Sequence, residues 1–564
     1  MKDSTAGSAP VWRWWLQSVV FGLAAATSAS AGTEPGVVQT TSGPVRGQLA
    51  ADVYSYKGMP FAAPPVGSLR WRAPAPVKPW ADVREAFNYG PPCAQAEFEW
   101  NRAVAAASRE DCLYLNVWVP LQHKSDSLPV MVFFPGGAYH GGSARGLSAI
   151  EPAYDGAKLA RRGVVVVTAN YRLGMFGFLA HPQLTAESPW HGSGNYALLD
   201  NIAALQWVRD NIARFGGDPR NVTAFGQSAG AWSVTQLMTS RLARGLFARA
   251  MLLSGPIFDA SPGQLELRDA QAAGVAFAQG LGVAPAGAIA ELRRRPAQDL
   301  LRAMMADQTL RRAEPRGGVI DGHVLTQQPV LVFRKGEEMA IPLIVGSTAR
   351  DGDFDNMGVS GTAKADATLA DKARPVARLH SVRPLAHQDD QQIQDFYAPY
   401  QDLARQASNI YRDTSSTDSA YGDVVTAFYT DTRMRCGSSL IARLHARVAP
   451  TWQYEFSHGY EPLGAVHLWD LLYVFGWLQA PADQPRDVHL EDEVQRYMTA
   501  FAASGNPNTS ELPAWPQSGT QGAYLDFASD STLSKTGLRS AACDVFARRT
   551  EQALDVLARG KSGR

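Results

Sequence analysis

A Gly-x-Ser-x-Gly pentapeptide at residues 226–230, with Ser228 at its centre, constrains the fold more than any other feature of this chain. A β-prone run (221–225) precedes it and an apolar, helix-like run (229–237) follows it. A serine becomes a useful nucleophile when a tight strand–turn–helix presents its hydroxyl beside a base, and glycines leave room for that turn. The pentapeptide alone is a weak signal, but its strand–turn–helix context makes it a strong one.

Short apolar runs alternate with helix-like segments around this turn. Residues 130–134 and 164–168 are continuous apolar runs, which are typical of strands covered on both faces. An amphipathic pattern between residues 195 and 215 predicts a helix, and residues 341–345 form a further buried-strand candidate. The order β, β, α, β, α therefore predicts an α/β sheet.

Length and charge narrow the classes of protein to consider. The chain has 564 residues, of which 45% are hydrophobic, so it can bury a large core. Its 53 basic and 53 acidic side chains cancel, which argues against a nucleic-acid or anionic-membrane partner because both need a basic excess. The sequence has no Cys-x-x-Cys and no His/Cys cluster with zinc spacing, so we expect no metal site.

The N-terminus is predicted to be a secretory signal peptide over residues 1–31. A basic start precedes an apolar run (14–26), and a small-x-small cleavage site ends at Ala31. A membrane anchor is the alternative, but the run is shorter than the roughly 20 apolar residues of a spanning helix. We therefore expect a secreted or periplasmic protein, cleaved after Ala31, with residues 32–564 as a single catalytic domain and no other membrane span.

The four cysteines form an even set, which in an exported chain is compatible with two disulfides. Cys93 and Cys112 flank a polar loop, so a local bridge between them is the economical pairing. Cys436 and Cys543 are then left to form a long-range bridge near the C-terminus.

Acyl transfer by a serine needs donors for the oxyanion as well as a base. Gly136, Gly137 and Ala138 follow the predicted strand at 130–134, and their backbone N–H groups could approach a ligand. Alone, these residues would be better interpreted as a flexible turn. The backbone N–H of Ala229 would add a further donor.

The base and the acid that orients it are harder to select. Spacing cannot choose among 11 histidines, although His467 lies on a plausible loop edge before an apolar stretch. The acid of such hydrolases lies between the serine and the histidine in chain order, and Asp351 fits that order. Asp353 and Asp355 compete with it, and chemistry alone does not separate the three.

Further motifs occur in order along nearly all of residues 32–564. They are KGMPFAAPPVG (57–67), EDCLYLNVWVP (110–120), NYRLGMFGFL (170–179), the Gly194-Asn195 and Asp200 pair, and SGNPN (504–508). With these motifs the chain resembles a type-B carboxylesterase of the cholinesterase–lipase group in the α/β-hydrolase superfamily. The resemblance implies a large, mostly parallel central sheet with helices on both faces and insertions over the active site. It also implies cofactor-free hydrolysis of carboxylic esters.

Carried over residue by residue, the resemblance implies Ser228 as nucleophile, His467 as base and Asp351 as orienting acid. Most relatives carry Glu at the acid position, in Gly-x-x-x-x-Glu-Gly. Gly346 and Gly352 preserve that frame here, which favours residue 351.

The resemblance also implies further groups. Relatives usually carry three glycines in the oxyanion loop. Ala138 is acceptable there because the backbone amide, and not the side chain, donates to the oxyanion. The implied oxyanion donors are the amides of Gly137, Ala138 and Ala229; the implied disulfides are Cys93–Cys112 and Cys436–Cys543; the implied structural ion pairs are Arg70–Glu110 and Arg172–Asp200.

Two departures concern specificity. Gln227 stands where cholinesterases carry Glu, which removes a negative charge beside the base and makes choline esters poor substrates. Trp232 either packs in the core or narrows the acyl pocket. We expect a small-molecule ester as substrate, with small to medium acyl or alcohol groups. The alternatives are a catalytically inactive cholinesterase-like binding module, or a lipase with a lid between Cys93 and Cys112.

Overall fold

One long β-sheet runs through the computed structural model of this chain. The predicted signal peptide lies outside the residues that the structure describes, which are 35–122, 127–146, 154–255, 265–315, 317–352, 401–414, 419–460, 464–477, 485–519 and 521–561. Within them, residues from Gly36 onward belong to one compact unit. In this part of the chain no helix is long and apolar enough to cross a membrane.

The strands follow one another along the whole described chain. They are β1 (Val37–Gln39), β2 (Pro44–Arg46), β3 (Gln48–Ala50), β4 (Val53–Pro60), β5 (Arg84–Glu85), β6 (Tyr114–Pro120), β7 (Leu128–Phe134), β8 (Val165–Ala169), β9 (Gly217–Gln227), β10 (Arg249–Leu253), β11 (Leu265–Glu266), β12 (Val319–Ile320), β13 (Leu343–Thr348), β14 (Thr451–Phe456), β15 (Ala523–Phe527) and β16 (Thr532–Thr536).

The main sheet has eleven strands in the order β16-β15-β14-β13-β10-β9-β7-β8-β6-β4-β3. The strands from β15 to β8 run parallel, whereas the outer pairs at both edges are antiparallel. The carboxyl ends of β9, β10, β13 and β14 therefore lie side by side, and side chains that follow them meet at one edge.

Helices connect and cover these strands. They are α1 (Arg102–Ala106), α2 (Ala157–Ala160), α3 (Gly174–Phe178), α4 (Pro182–Glu187), α5 (Tyr196–Asn211), α6 (Ala229–Thr239), α7 (Leu267–Gly280), α8 (Ala288–Arg294), α9 (Ala297–Ala306), α10 (Gln308–Arg312), α11 (Pro329–Lys335), α12 (Gln401–Thr414), α13 (Val424–Thr430), α14 (Cys436–His445), α15 (Trp469–Val474), α16 (Pro485–Ser504) and α17 (Ser540–Lys561). A π-helical turn, Asp431–Arg435, joins α13 to α14.

The central strands are apolar at consecutive positions because both faces of the sheet are covered. Along β7, Val130 and Val132 pack into one hydrophobic cluster with residues of α5 and α6. Met131 and Phe133 point the other way and pack with residues of α2, α15 and α16. Alternation of side chains along a strand places successive residues on opposite faces, so a continuous apolar run fits a sheet between two helical layers.

The predicted elements around the serine are confirmed. The runs at 130–134 and 221–225 lie in β7 and β9, those at 164–168 and 341–345 overlap β8 and β13, which begin one and two residues later, and the helices predicted at 195–215 and 229–237 are α5 and α6. The helix after residue 195 ends one turn early, because Ile212–Phe215 is a 3₁₀ turn that Gly216 closes at φ 79°.

Both disulfides and both ion pairs are present. Cys93 is bonded to Cys112 and Cys436 to Cys543. The guanidinium of Arg70 lies 2.5 Å from Glu110, and that of Arg172 lies 2.7 Å from Asp200. From composition alone, charged residues such as these are expected on the surface. The side chains of Arg70, Arg172 and Asp200 are nevertheless buried. The family resemblance, and not the charge pattern, predicted these ion pairs.

Candidate active site

Ser228 sits on a strained turn between β9 and α6. Its backbone has φ 54° and ψ −124°, a conformation that residues other than glycine rarely adopt. Its amide donates to the Leu253 carbonyl at 2.9 Å, which ties the turn to the end of β10. Strain of this kind persists only where the surrounding structure enforces it, and it is concentrated at functional sites.

The two glycines of the pentapeptide let the turn close. A Cβ on Gly230 would lie 1.9 Å from the Phe134 carbonyl oxygen, and a Cβ on Gly226 would lie 2.3 Å from the carbonyl carbon of Gly230. Contacts that short are impossible, so any side chain at either position would open the turn. The backbones of β9, α6 and the end of β7 meet here within van der Waals distance, and only glycine fits at positions 226 and 230.

The loop after β7 lies against this turn. A Cβ on Gly136 would lie 2.9 Å from the Cβ of Ser228, so the loop backbone touches the serine. Gly137 has φ 119° and Ala138 has φ 53°. The loop is held by its neighbours, since Tyr171 donates its hydroxyl hydrogen to the Pro135 carbonyl at 2.6 Å.

The amides of Gly137, Ala138 and Ala229 are available to a ligand. Among the described residues, none of the three donates a hydrogen bond to another group of the protein. Ala229 is the first residue of α6, where a backbone N–H has no acceptor within the helix. An oxyanion hole requires N–H groups that have no acceptor within the protein; Ala229 adjoins Ser228 in the chain, and Gly137 and Ala138 follow Gly136, whose backbone contacts it.

Asp351 and His467 are hydrogen-bonded, the carboxylate Oδ1 to the ring Nδ1. Asp351 follows β13 and is fully buried, and its Oδ2 accepts from the Thr348 amide at 2.9 Å. The loops that carry the two side chains are joined because Arg350 donates its amide to the Ala465 carbonyl at 2.8 Å. Asp353 and Asp355, the competing acids, lie outside the described residues.

Gln227, the residue before the serine, contacts the other side of the His467 ring. Its side-chain nitrogen lies 3.0 Å from the ring Nε2. When the amide donates here, Nε2 holds a lone pair and the ring proton is on Nδ1, facing Asp351. Within the described structure no hydrogen bond joins the Ser228 hydroxyl to the ring. Gln227 is fully buried, so it contacts the histidine rather than lining an open pocket.

Asp470 is a second carboxylate near this pair that the sequence analysis missed. It is almost fully buried in the first turn of α15, three residues after His467. Burial raises the pKa of Asp470 to about 6, and the charge of Asp351 adds to this while a hydrogen bond from Tyr454 opposes it. The Tyr454 hydroxyl donates to Oδ2 at 2.7 Å, whereas Oδ1 has no partner among the described residues.

Trp232 is partly buried and packs against the main hydrophobic cluster. It lies one turn into α6, close to Ser228 in sequence. Of the two roles predicted for Trp232, packing in the core and narrowing the acyl pocket, these contacts support packing in the core.

A second Ser–His–Asp arrangement lies elsewhere in the chain. His458 contacts Ser529 Oγ at 3.0 Å through Nδ1 and Asp487 Oδ1 at 2.7 Å through Nε2. Ser529 is exposed in the turn between β15 and β16, and unlike Ser228 it is not among the described residues with positive φ. Asp487 also accepts hydrogen bonds from Tyr460 and Tyr473. The geometry around Ser228 therefore distinguishes it from Ser529.

Comparisons with known proteins agree with this geometry. The model of the carboxylesterase family matches residues 34–546. The fumonisin B1 esterase of Sphingopyxis macrogoltabida is 34% identical over 549 residues, covering 93% of this chain and 92% of that protein. The para-nitrobenzyl esterase of Bacillus subtilis is 35% identical over 499 residues, covering 85% and 92% respectively.

Solved structures give the same result. A PNB esterase structure superposes with a TM-score of 0.71 at 31% identity, covering 90% of this chain and 99% of that one. The Geobacillus stearothermophilus carboxylesterase EST55 superposes with a TM-score of 0.74 at 30% identity, covering 91% and 100%. The large, mostly parallel sheet with helices on both faces is thus the α/β-hydrolase fold.

Proposed function

Because the chain belongs to the carboxylesterase family and is a carboxylic ester hydrolase, we propose that it cleaves small to medium esters through an acyl-enzyme formed on Ser228. His467 is the base in this proposal and Asp351 orients it. The observation that carries the proposal is the hydrogen bond between Asp351 and His467, beside a serine held at φ 54°.

In the first half of the reaction, Ser228 Oγ attacks the ester carbonyl carbon while His467 Nε2 accepts the hydroxyl proton. The carbonyl oxygen becomes an oxyanion, to which the amides of Gly137, Ala138 and Ala229 donate. Collapse of the intermediate breaks the bond to the alcohol oxygen, which receives the proton from Nε2. The product alcohol leaves, and the acyl group remains on Ser228.

In the second half, water replaces the alcohol. His467 removes a proton from water, the resulting hydroxide attacks the acyl carbon, and the proton returns to Oγ as the acid leaves. Asp351 stabilises the imidazolium that forms in each half and keeps the ring proton on Nδ1. The reaction has no redox step, and water is the only co-substrate.

The contact between Gln227 and Nε2 fits a resting state. The Gln227 amide hydrogen bonds to the lone pair that the base uses, so this contact must break before Nε2 accepts the proton of Ser228. Catalytic hydrogen bonds are often long or misaligned without substrate and tighten when it binds.

The alternative readings receive less support. An inactive binding module would have no need for a buried acid–histidine pair beside a strained serine. A lipid-seeking lid between Cys93 and Cys112 fits poorly with a loop that exposes the ion pair of Arg102 with Glu97. The exported location expected from residues 1–31 is retained as part of the proposal, and the two disulfides are compatible with it.

A series of p-nitrophenyl esters, from acetate to palmitate, tests the proposal with purified wild type and Ser228→Ala. We expect wild type to favour the short and medium chains, and the variant to lose at least about 10³-fold in kcat. Ser529→Ala is the matched control and should keep wild-type kcat. Equal activity of wild type and Ser228→Ala would refute the assignment.

A further inference from the structure

Arg435 lies at the centre of a buried ion cluster behind the candidate site. Its guanidinium lies 2.5 Å from Asp431 Oδ1 and 2.6 Å from Glu455 Oε1, and all three side chains are almost inaccessible to solvent. Asp431 and Arg435 are the two ends of the π-helical turn, and such turns occur frequently at functional sites.

The cluster has a side that faces the loop carrying Asp351. Arg435 donates from Nη2 to the Ala349 carbonyl at 2.7 Å. Ser347 donates its hydroxyl hydrogen to Glu455 Oε2 at 2.9 Å. Thr430, which precedes Asp431, accepts the Gly352 amide on its hydroxyl oxygen at 2.8 Å. Residues 347, 349 and 352 are therefore all fixed by this cluster or by its immediate neighbour.

The cluster also has a side that faces away from that loop. Tyr411 donates its hydroxyl hydrogen to Asp431 Oδ2 at 3.1 Å, and Arg539 lies 2.8 Å from the same oxygen. Cys436, which follows Arg435, is disulfide-bonded to Cys543 of α17. These contacts anchor the cluster to α12 and α17.

We propose that Arg435 is a positioning residue for the reaction. Its ion cluster with Asp431 and Glu455 holds the loop that carries Asp351 in the position at which the Asp351 carboxylate bonds to His467. The inference rests on the proposed function, because it assigns Asp351 a role only if His467 is the base. Among the described residues, the guanidinium of Arg435 bonds to Asp431, Glu455 and the Ala349 carbonyl, and not to Ser228, Asp351 or His467.

Energetics favour this reading over a purely stabilising role. Burying an ion pair costs desolvation that its attraction often fails to offset, so a hydrophobic group of similar size would stabilise the same position as well or better. A guanidinium has what a hydrophobic group lacks, namely fixed donors that can hold two carboxylates and one carbonyl at once. Here the carbonyl is that of Ala349, two residues before Asp351.

The loop has little freedom once these contacts exist. Gly352 has no room for a side chain, since a Cβ there would lie 2.3 Å from the Thr430 amide nitrogen. On the other side, the Arg350 amide is bonded to the segment that leads to His467. A displacement of about 1 Å in a catalytic group can cost about 100-fold in rate. Loss of one loop contact should therefore reduce kcat clearly without abolishing it.

The test compares variants on the two sides of the same cluster, because replacing Arg435 itself would leave two buried carboxylates unpaired and risk unfolding. Thr430→Val removes a contact to the loop that carries Asp351, Ser347→Ala removes one to the end of β13 from which that loop starts, and Tyr411→Phe removes one contact on the opposite side. We expect the first two to lower kcat about 3- to 30-fold with KM unchanged, and Tyr411→Phe to keep wild-type kcat.

Two further measurements separate positioning from general stability. Thr430→Ser keeps the hydroxyl and should restore kcat to near the wild-type value. The downfield proton resonance of His467 Nδ1 should shift in Thr430→Val but not in Tyr411→Phe. The inference is overturned if all three single variants lower the melting temperature alike while kcat and the resonance stay unchanged. Activity that survives Ser228→Ala would instead remove the proposed function on which the inference rests.

Discussion

Asp470→Asn should change how the stability of this protein depends on pH. The ordinary pKa of an aspartate is 3.8, and burial raises the pKa of Asp470 to about 6 in the folded state. As pH rises from about 4, the unfolded chain loses this proton first, so the folded state becomes relatively less stable. The loss is complete above about pH 6 and persists at higher pH.

The size of the effect follows from the two pKa values. A difference between 3.8 and about 6, at about 1.4 kcal/mol per pKa unit, corresponds to about 3 kcal/mol of unfolding free energy. Asparagine keeps the shape and the Tyr454 hydrogen bond but cannot ionise. We therefore expect the variant to gain up to about 3 kcal/mol relative to wild type between pH 4 and pH 7.5.

Urea unfolding of wild type and Asp470→Asn at several pH values measures this difference. Asp487→Asn is the matched control: burial alone would raise the pKa of Asp487, but hydrogen bonds from His458, Tyr460 and Tyr473 outweigh it and lower the pKa. The titration of Asp487 therefore lies at and below the ordinary pKa of 3.8, so the difference in stability between Asp487→Asn and wild type should change little between pH 4 and pH 7.5. A gap between Asp470→Asn and wild type that is constant across pH would refute the reasoning.

Three further perturbations have defined outcomes. Gly230→Ala should lower kcat more than 100-fold, because the new Cβ would lie 1.9 Å from the Phe134 carbonyl oxygen and the turn would open. Wild-type kcat in this variant would contradict the packing around Gly230. Gln227→Glu places a negative charge against the base and should move the acidic limb of kcat/KM to higher pH, as a pH–rate profile would reveal; an unmoved limb would contradict the contact. A Cys436→Ala/Cys543→Ala double variant lacks the disulfide that closes a separation of 107 residues. Its unfolding free energy should be lower than that of wild type by roughly 4–5 kcal/mol in the chain-entropy treatment, and an unchanged urea midpoint would contradict this.

The turn around Ser228 could be predicted from the sequence because its determinants are local. The glycines at 226 and 230, the β-prone run before them and the apolar run after them are contiguous, and the structure has a strand, a strained turn and a helix in that order. The alternation of apolar runs likewise predicted the sheet, since β7 and β8 are covered on both faces.

The partners of Ser228 could not be selected from local sequence. His467 is one of 11 histidines, and its proximity to Asp351 arises only when β13 and β14 lie side by side in the sheet. The resemblance selected both residues, whereas spacing left Asp353 and Asp355 open.

Buried charge was the least predictable property of the site. Asp470 and Arg435 are charged residues that would ordinarily be expected on the surface, yet both are almost inaccessible. Gln227 was expected to act through the absence of a charge, and the structure adds a direct contact to His467 Nε2. The contact between Gln227 and His467 joins residues 240 positions apart, which no periodicity encodes.

Covalent labelling tests the central claim most directly, namely that Ser228 is the nucleophile. Wild type, Ser228→Ala and Ser529→Ala would be treated with a dialkyl p-nitrophenyl phosphate, and the site of phosphorylation mapped by peptide mass spectrometry. We predict one phosphoryl group per chain on Ser228 in wild type and Ser529→Ala, p-nitrophenol released in equal amount, activity lost in proportion, and no label in Ser228→Ala. A label on any other serine that tracks the loss of activity, or full activity after Ser228 is modified, would contradict the account.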